Sequence, residues 1–195
     1  MGTYYDTGVL VPLFIRESFS EALIAWVAAI ENPIELHAFH RLELENALRL
    51  KVFRSEIRSE QQDAALDKIA AAIREDRLVI RPVDWIAALE SARRLGAAAT
   101  SRTGCRTLDL LHVAIAAQWR CETFVSADER QLRAAERAGL RIVDVRALPH
   151  RGRSGAVRER RERYAARARS ADDKRKSKTG RGARRPAKEP AWKRW

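Results

Sequence analysis

The chain has 195 residues, 46% of them hydrophobic, and a formal net charge of +12. This length suits one ordinary domain with an appendage, and the apolar content excludes a chain that is disordered throughout. The charge is uneven, because residues 150–195 hold 18 basic and 5 acidic residues whereas residues 1–149 hold 20 and 21. We therefore predict a folded domain over 1–149 and a basic, disordered, low-complexity tail over 150–195.

The cysteines, the N-terminus and the apolar runs together indicate a cytoplasmic protein without membrane attachment. Cys105 and Cys121 lack His or Cys neighbours at a metal-binding spacing, and they fit free thiols in a reducing compartment. No apolar run reaches the roughly 18 residues that a bilayer span requires. Residues 1–6 have no basic segment ahead of an apolar one, so we expect no signal peptide.

The first half of the predicted domain alternates short apolar runs with helical periodicity. In chain order we predict a strand at Thr3–Tyr5, helices at Thr7–Ile15 and from a Ser18 or Ser20 cap to Ile30, a strand at Ile34–Ala38, and helices at Arg41–Phe53 and Gln61–Arg74.

The second half continues the same alternation. The predicted elements are a strand at Leu78–Ile80, a helix from Val83 to about Leu95 ended by Gly96, a polar loop at Thr100–Arg106, a helix at Leu108–Trp119 capped by Thr107, a strand at Thr123–Val125, a helix at Asp128–Ala138 and a strand at Leu140–Val143. This order predicts an α/β fold, with helices on both faces of a short parallel sheet. Such sheets bind ligands beyond the carboxyl ends of their strands.

Four acidic residues occupy positions that this fold would bring together. Asp6 and Asp128 each follow a predicted strand, Asp109 begins the most apolar helix, and Glu43 lies near the start of another helix. Each has a structural explanation when taken singly: a helix cap for Asp6 and Asp128, a complement to the helix dipole for Asp109, and a solvated helix position for Glu43. Glu45 points to a different side of the Glu43 helix and serves as a comparison for the structural reading.

Taken together, these carboxylates predict a metal site. Converging carboxylates repel one another unless a cation offsets their charge. Hard oxygen donors without Cys or His partners favour Mg²⁺ or Mn²⁺, which usually keep several waters and take a substrate phosphate as a further ligand. The expected chemistry is hydrolysis of a phosphodiester bond.

Four segments resemble the PIN-domain nucleases, most closely the VapC-like toxins of type II toxin–antitoxin pairs, in order and spacing. They are Tyr5-Asp6-Thr7, Glu43-Leu44-Glu45-Asn46-Ala47-Leu48, Arg106-Thr107-Leu108-Asp109-Leu110-Leu111-His112 and Phe124-Val125-Ser126-Ala127-Asp128. The resemblance implies a three-layer PIN-like fold. It also implies that the four acidic residues are the catalytic and metal-binding quartet, holding Mg²⁺ or Mn²⁺: Asp6, Glu43, Asp109 and Asp128.

The resemblance further implies an endoribonuclease that cleaves single-stranded or loop RNA, forms a homodimer and is inhibited by an antitoxin protein covering its cleft. Thr7 and Ser126 would be polar neighbours that hold the site or its waters. Gly8 stands where the family commonly has Ser.

Four further residues are interpreted from their positions alone. Arg106 precedes Asp109 and is a candidate phosphate contact. His112 is interpreted as a packed helix histidine, although it lies one turn from Asp109 and could reach the site. His37 and its neighbour His40 give no indication of a ligand set.

Other functions stay open at this point. The basic tail predicts sequence-tolerant RNA binding, with Trp192 and Trp195 available for stacking, so the protein could be a non-catalytic RNA-binding protein. It could also be a housekeeping PIN nuclease in RNA processing. A haloacid-dehalogenase-like phosphatase would need a second Asp two positions after Asp6, where Gly8 stands.

Overall fold

The computed structural model of the protein describes residues 2–30 and 32–149. The predicted tail over 150–195 lies outside these residues, so its disorder and the domain boundary at residue 149 stay predictions. Within the described residues, every helix is too short or too polar to cross a bilayer.

The elements alternate along the chain as an α/β protein requires. The strands are β1 Thr3–Tyr5, β2 Ile34–Leu36, β3 Leu78–Ile80, β4 Thr123–Ser126 and β5 Arg141–Asp144. The helices are α1 Thr7–Leu10, α2 Ser20–Ile30, α3 Ala38–Phe53, α4 Ser59–Arg74, α5 Trp85–Thr103, α6 Thr107–Gln118 and α7 Glu129–Arg137, with short 3₁₀ helices at Val11–Leu13 and Val145–Ala147.

All paired strands are parallel, as predicted. Their hydrogen bonds form one ladder in the order β1-β4-β5 and a second ladder that joins β2 to β3. Strand β2 lies beside β1. Because the strands are parallel, the residues that follow β1, β2 and β4 reach the same carboxyl edge.

Helices cover both faces of the sheet, which confirms the predicted three-layer architecture. Neighbouring residues of a strand point to opposite faces. Tyr4 and Phe124 pack into one core with α5, α6 and α7, whereas Tyr5 and Val125 pack into the other with helices α1 to α4. The two cores hold the starts of α1, α3, α6 and α7 close to the carboxyl edge.

The ends of two predicted helices differ from the structure by several residues. The first helix ends at Leu10 and continues as the 3₁₀ helix, where Pro12 supplies no backbone N–H for an α-helical bond. The helix predicted to end at Gly96 continues to Thr103, so most of the predicted loop at 100–106 is helical. A Cβ at Gly96 would lie 3.3 Å from Leu110 Cδ1, so this glycine permits close packing of α5 on α6.

Gly104, rather than Gly96, ends α5. Its φ of +67° is a left-handed conformation that glycine adopts without steric cost, and its N–H donates to the Thr100 carbonyl oxygen.

The predicted serine and threonine caps also differ from the structure. Arg106 is the capping residue of α6, and Thr107 is already inside the helix. The Ser20 hydroxyl accepts from the Glu17 N–H and donates to the Pro12 carbonyl oxygen, so it fixes the preceding loop. The helix predicted to include Asp128 begins one residue later, with Asp128 as its cap.

Candidate active site

Asp6 and Asp128 lie at the carboxyl edge, where each caps the helix that follows its strand. Asp6 Oδ2 accepts from the Gly8 N–H at 3.0 Å at the start of α1. Asp128 Oδ1 accepts from the Arg130 N–H at 2.8 Å at the start of α7. The capping explanation therefore applies to both residues, and it coexists with their convergence on one edge. The partial positive charge of the helix starts stabilises carboxylates here.

Asp109 faces the same edge from the first turn of α6. Its Oδ2 accepts from the Arg106 backbone N–H at 3.3 Å, which ties the carboxylate to the helix start. The Arg106 residue itself is exposed. The predicted position of Asp109 beside the strand ends is reproduced, and the Arg106 guanidinium stays a candidate phosphate contact.

Glu43 reaches the edge from α3 and is held by two donors. Its Oε2 lies 2.6 Å from Thr7 Oγ1, which donates a hydrogen bond, and 2.7 Å from His112 Nε2. His112 Nε2 also lies 4.0 Å from Asp6 Oδ1. His112 is buried, as interpreted from the sequence, but it also contacts Glu43.

Gln131 joins the other side of the site and was missed in the sequence. Its Nε2 donates to Asp6 Oδ1 at 3.1 Å, while its Oε1 accepts from Ser126 Oγ at 2.7 Å. Ser126 Oγ in turn accepts from the Asp128 N–H at 3.0 Å. The amide orientation follows from the chemistry, because an ionised Asp6 can only accept. The signal that the sequence offers for this residue is a glutamine on the apolar face of its helix, beside Leu132.

The electrostatics of Asp109 and Asp128 differ. Burial raises the pKa of Asp109, and the negative charges of Asp6 and Asp128 add to this effect. For Asp128, burial acts upward, but hydrogen bonds from the Arg130 side chain and backbone outweigh it and lower the pKa. The Arg130 guanidinium lies 3.2 Å from Asp128 Oδ2. The two pKa values therefore shift in opposite directions because Asp109 is the more buried carboxylate, whereas Asp128 pairs with a guanidinium.

The chemistry of these donors fits a hard divalent cation such as Mg²⁺ or Mn²⁺. The four side chains offer carboxylate oxygens, and burial, together with the negative charges of Asp6 and Asp128, raises the pKa of Asp109. Among the described residues, no three of these carboxylates gather within 4.8 Å of one another.

A tighter cluster, also missed in the sequence, lies directly behind the carboxylates. One nitrogen each from His37, His40 and His112 lies within 4.8 Å of the others, and all three residues are buried. The sequence interpretation, that nothing near His37 and His40 suggests a ligand set, did not anticipate this grouping with His112. His112 comes from a distant helix, so sequence spacing gave no signal.

Glu45, the comparison residue, lies apart from the site. It forms ion pairs with Arg41 at 2.9 Å and with Arg49 at 3.3 Å along α3. The structure therefore supports the distinction between Glu43 and Glu45 that the helix period predicts.

A protein-family model described as the PIN domain matches residues 3–137 of the chain. A search of curated proteins finds no match to the chain. The matched segment contains all four carboxylates: Asp6, Glu43, Asp109 and Asp128.

Proposed function

Since this chain belongs to the PIN domain family, whose members are in general metal-dependent nucleases, we propose that it is a Mg²⁺- or Mn²⁺-dependent endoribonuclease. The observation that carries the proposal is the approach of four carboxylates from four separate chain segments: His112 lies beside both Glu43 and Asp6, and the charges of Asp6 and Asp128 act on Asp109. Structural roles alone would not require all four to approach one another.

In the proposed reaction, water attacks a phosphorus atom of RNA and the bond to the 3′ oxygen breaks, leaving a 5′-phosphate and a 3′-hydroxyl. Asp6, Glu43, Asp109 and Asp128 would hold the divalent ion, which when bound supplies a Lewis acid for the scissile phosphate. The protein's own contribution is positioning.

Each carboxylate is fixed by neighbouring donors, which supports this positioning role. Gln131 and the start of α1 hold Asp6, and the start of α7 holds Asp128. Thr7 and His112 hold Glu43. Arg106, exposed beside Asp109, would contact the RNA backbone.

The proposal includes the role of toxin in a type II toxin–antitoxin pair, acting in the cytoplasm. It rests on the resemblance of the site segments to the VapC-like toxins. The proposed partners are a second copy of the chain, which would form a homodimer, and an antitoxin protein. Ile86, 84% exposed, and Leu89, 57% exposed, lie one turn apart on α5 and provide apolar surface suited to protein contacts.

The test is cleavage of a labelled single-stranded RNA by the full-length protein with Mg²⁺, with Mn²⁺ and with EDTA. Asp6→Asn and Asp109→Asn should each reduce the rate by more than the roughly 10–100-fold typical of losing an outer-shell partner. Glu45→Gln is the matched control and should cleave at the wild-type rate. Circular dichroism should show that all variants are folded.

The rival function is RNA binding without catalysis, favoured by the net charge of +13 over residues 150–195. The same variants distinguish the two functions. Asp6→Asn should still bind RNA in a filter assay although it no longer cuts. Cleavage at the wild-type rate by both Asn variants would overturn the enzymatic proposal.

A further inference from the structure

Tyr4 lies at the centre of a buried group of rings directly behind Glu43. Its hydroxyl oxygen lies 2.8 Å from His37 Nε2 and 2.7 Å from His112 Nδ1. His40 stacks on His37 with ring centroids 3.8 Å apart. We call these four side chains, Tyr4, His37, His40 and His112, the histidine–tyrosine cluster; all are at least 98% buried.

The hydrogen bonds at the two ends of this cluster, at His37 and at His112, determine which atom carries each proton. At one end, His37 Nδ1 accepts from the His40 backbone N–H at 3.1 Å, and a backbone N–H can only donate. Burial, with a smaller contribution from His112, lowers the pKa of His37 to about 3, so the ring is neutral at neutral pH. Its single N–H is therefore on Nε2, and it donates to the Tyr4 hydroxyl oxygen.

Tyr4 then has one proton left to donate. Because His37 is the donor on one side, the Tyr4 hydroxyl donates to His112 Nδ1 on the other. This bond occupies the lone pair of His112 Nδ1, so the N–H of the ring is on Nε2, from which it donates to Glu43 Oε2.

We propose that Tyr4 and His37 are positioning residues that act through His112 to orient Glu43 for the divalent cation. The hydrogen bonds run in one direction, from the His40 backbone through His37, Tyr4 and His112 to Glu43 Oε2. Thr7 donates to the same oxygen. Among the described residues, both donors to the Glu43 carboxylate bind the same oxygen, Oε2. The inference rests on the proposed function, because it assigns Glu43 to the cation.

The other interpretation of the cluster is a second metal site made of three imidazoles. The hydrogen bonds argue against it, because the His40 N–H occupies the lone pair of His37 Nδ1 and leaves a proton on Nε2, the nitrogen that faces the cluster. A ligating imidazole needs a free lone pair there. Among the residues that the structure describes, the His40 ring nitrogens have no hydrogen bond of good geometry, only an interaction with the Tyr5 backbone. Its neutral ring, whose pKa burial keeps low, acts as an aromatic neighbour of Tyr4.

The first experiment measures histidine tautomers by ¹⁵N NMR on the full-length protein without divalent metal, so its result does not depend on nuclease activity. His37 and His112 should both carry their proton on Nε2. In the Tyr4→Phe variant, the ¹⁵N chemical shifts of His112 should no longer be those of a single tautomer. Tyr5→Phe, the same change on the other face of the sheet, should leave these shifts unchanged. A proton on Nδ1 of either histidine, or stoichiometric Zn²⁺ binding by all three rings, would overturn the proposal.

The second experiment measures Mn²⁺ affinity by calorimetry and the Mg²⁺ dependence of RNA cleavage. Tyr4→Phe should weaken cation binding by about 10–100-fold while cleavage at saturating Mg²⁺ recovers substantially. Tyr5→Phe should match the wild type in both. If the wild type binds Mn²⁺ and Tyr4→Phe binds it equally well, the positioning role is wrong. A wild type with the expected tautomers but no cleavage would instead contradict the proposed function and leave the hydrogen-bond chain intact.

Discussion

The carboxyl edge of the sheet, which holds the four carboxylates, and the histidine–tyrosine cluster are neighbours with opposite electrostatic character. At the edge, partly exposed acids are held close enough that Asp6 and Asp128 help to raise the pKa of Asp109. In the cluster, buried rings are neutral, and burial drives the pKa of His37 to about 3. At the edge, four carboxylates gather and the Arg130 guanidinium pairs with Asp128, whereas most polar atoms of the cluster are paired with neutral groups.

This difference teaches that the two regions contribute differently to stability and function. Neutral, hydrogen-bonded rings stabilise the fold because their polar groups are paired within the protein. At the edge, the raised pKa of Asp109 means that its charged form destabilises the metal-free fold, and such local conflicts are expected at functional sites. Mutations in the two regions should therefore change the free energy of unfolding with opposite signs.

The largest effect is expected in the cluster. His112→Ala should lower the free energy of unfolding by about 2–4 kcal/mol, because it leaves a cavity and removes the acceptor of the buried Tyr4 hydroxyl. Urea unfolding of the metal-free protein measures this change. A loss below about 1 kcal/mol would show that the cluster is not the stabilising region that the comparison requires.

A smaller effect of opposite sign is expected at the edge. Asp109→Asn should raise the unfolding midpoint of the metal-free protein by at most about 4 °C, because it removes a charge that Asp6 and Asp128 repel. Asn can still accept from the Arg106 N–H, so the helix start is kept. Thermal unfolding in EDTA measures the shift, and a lower midpoint would contradict the comparison.

The pH dependence of this variant follows from the direction of the pKa shift. The folded-state pKa of Asp109 lies above the ordinary value of 3.8, so the charged form destabilises the fold above that raised pKa. As the pH falls through it, protonation removes the cost. The advantage of Asp109→Asn over the wild type should therefore be largest at neutral pH and shrink toward pH 4.

The architecture was predictable because strand–helix alternation and burial follow from local patterns. The errors arose where tertiary packing decided the outcome. The sequence pattern predicts a helix end at Gly96, but the absence of a side chain at this residue instead permits α6 to pack closely on α5 through Leu110. Gly104, which ends the helix, was assigned to a loop that is largely helical.

The site was only partly predictable for a similar reason. The positions of Asp6, Glu43, Asp109 and Asp128 follow from parallel strands and helix starts, which a sequence pattern contains. The partners that orient them do not, because Tyr4 meets His112 across 108 positions of sequence. Gln131 meets Asp6 across 125 positions. Such long-range pairs have no local signature, so only their burial pattern could have pointed to them.

The central claim is that the carboxylates at the sheet edge bind a divalent cation. The most direct measurement is the unfolding midpoint of the full-length protein with increasing Mn²⁺ or Mg²⁺. The wild type should gain about 2.7 kcal/mol at a hundredfold excess over its Kd, and Glu45→Gln should match it. The Asp6→Asn and Asp109→Asn double variant should gain nothing. An equal gain by the double variant and the wild type would contradict the claim.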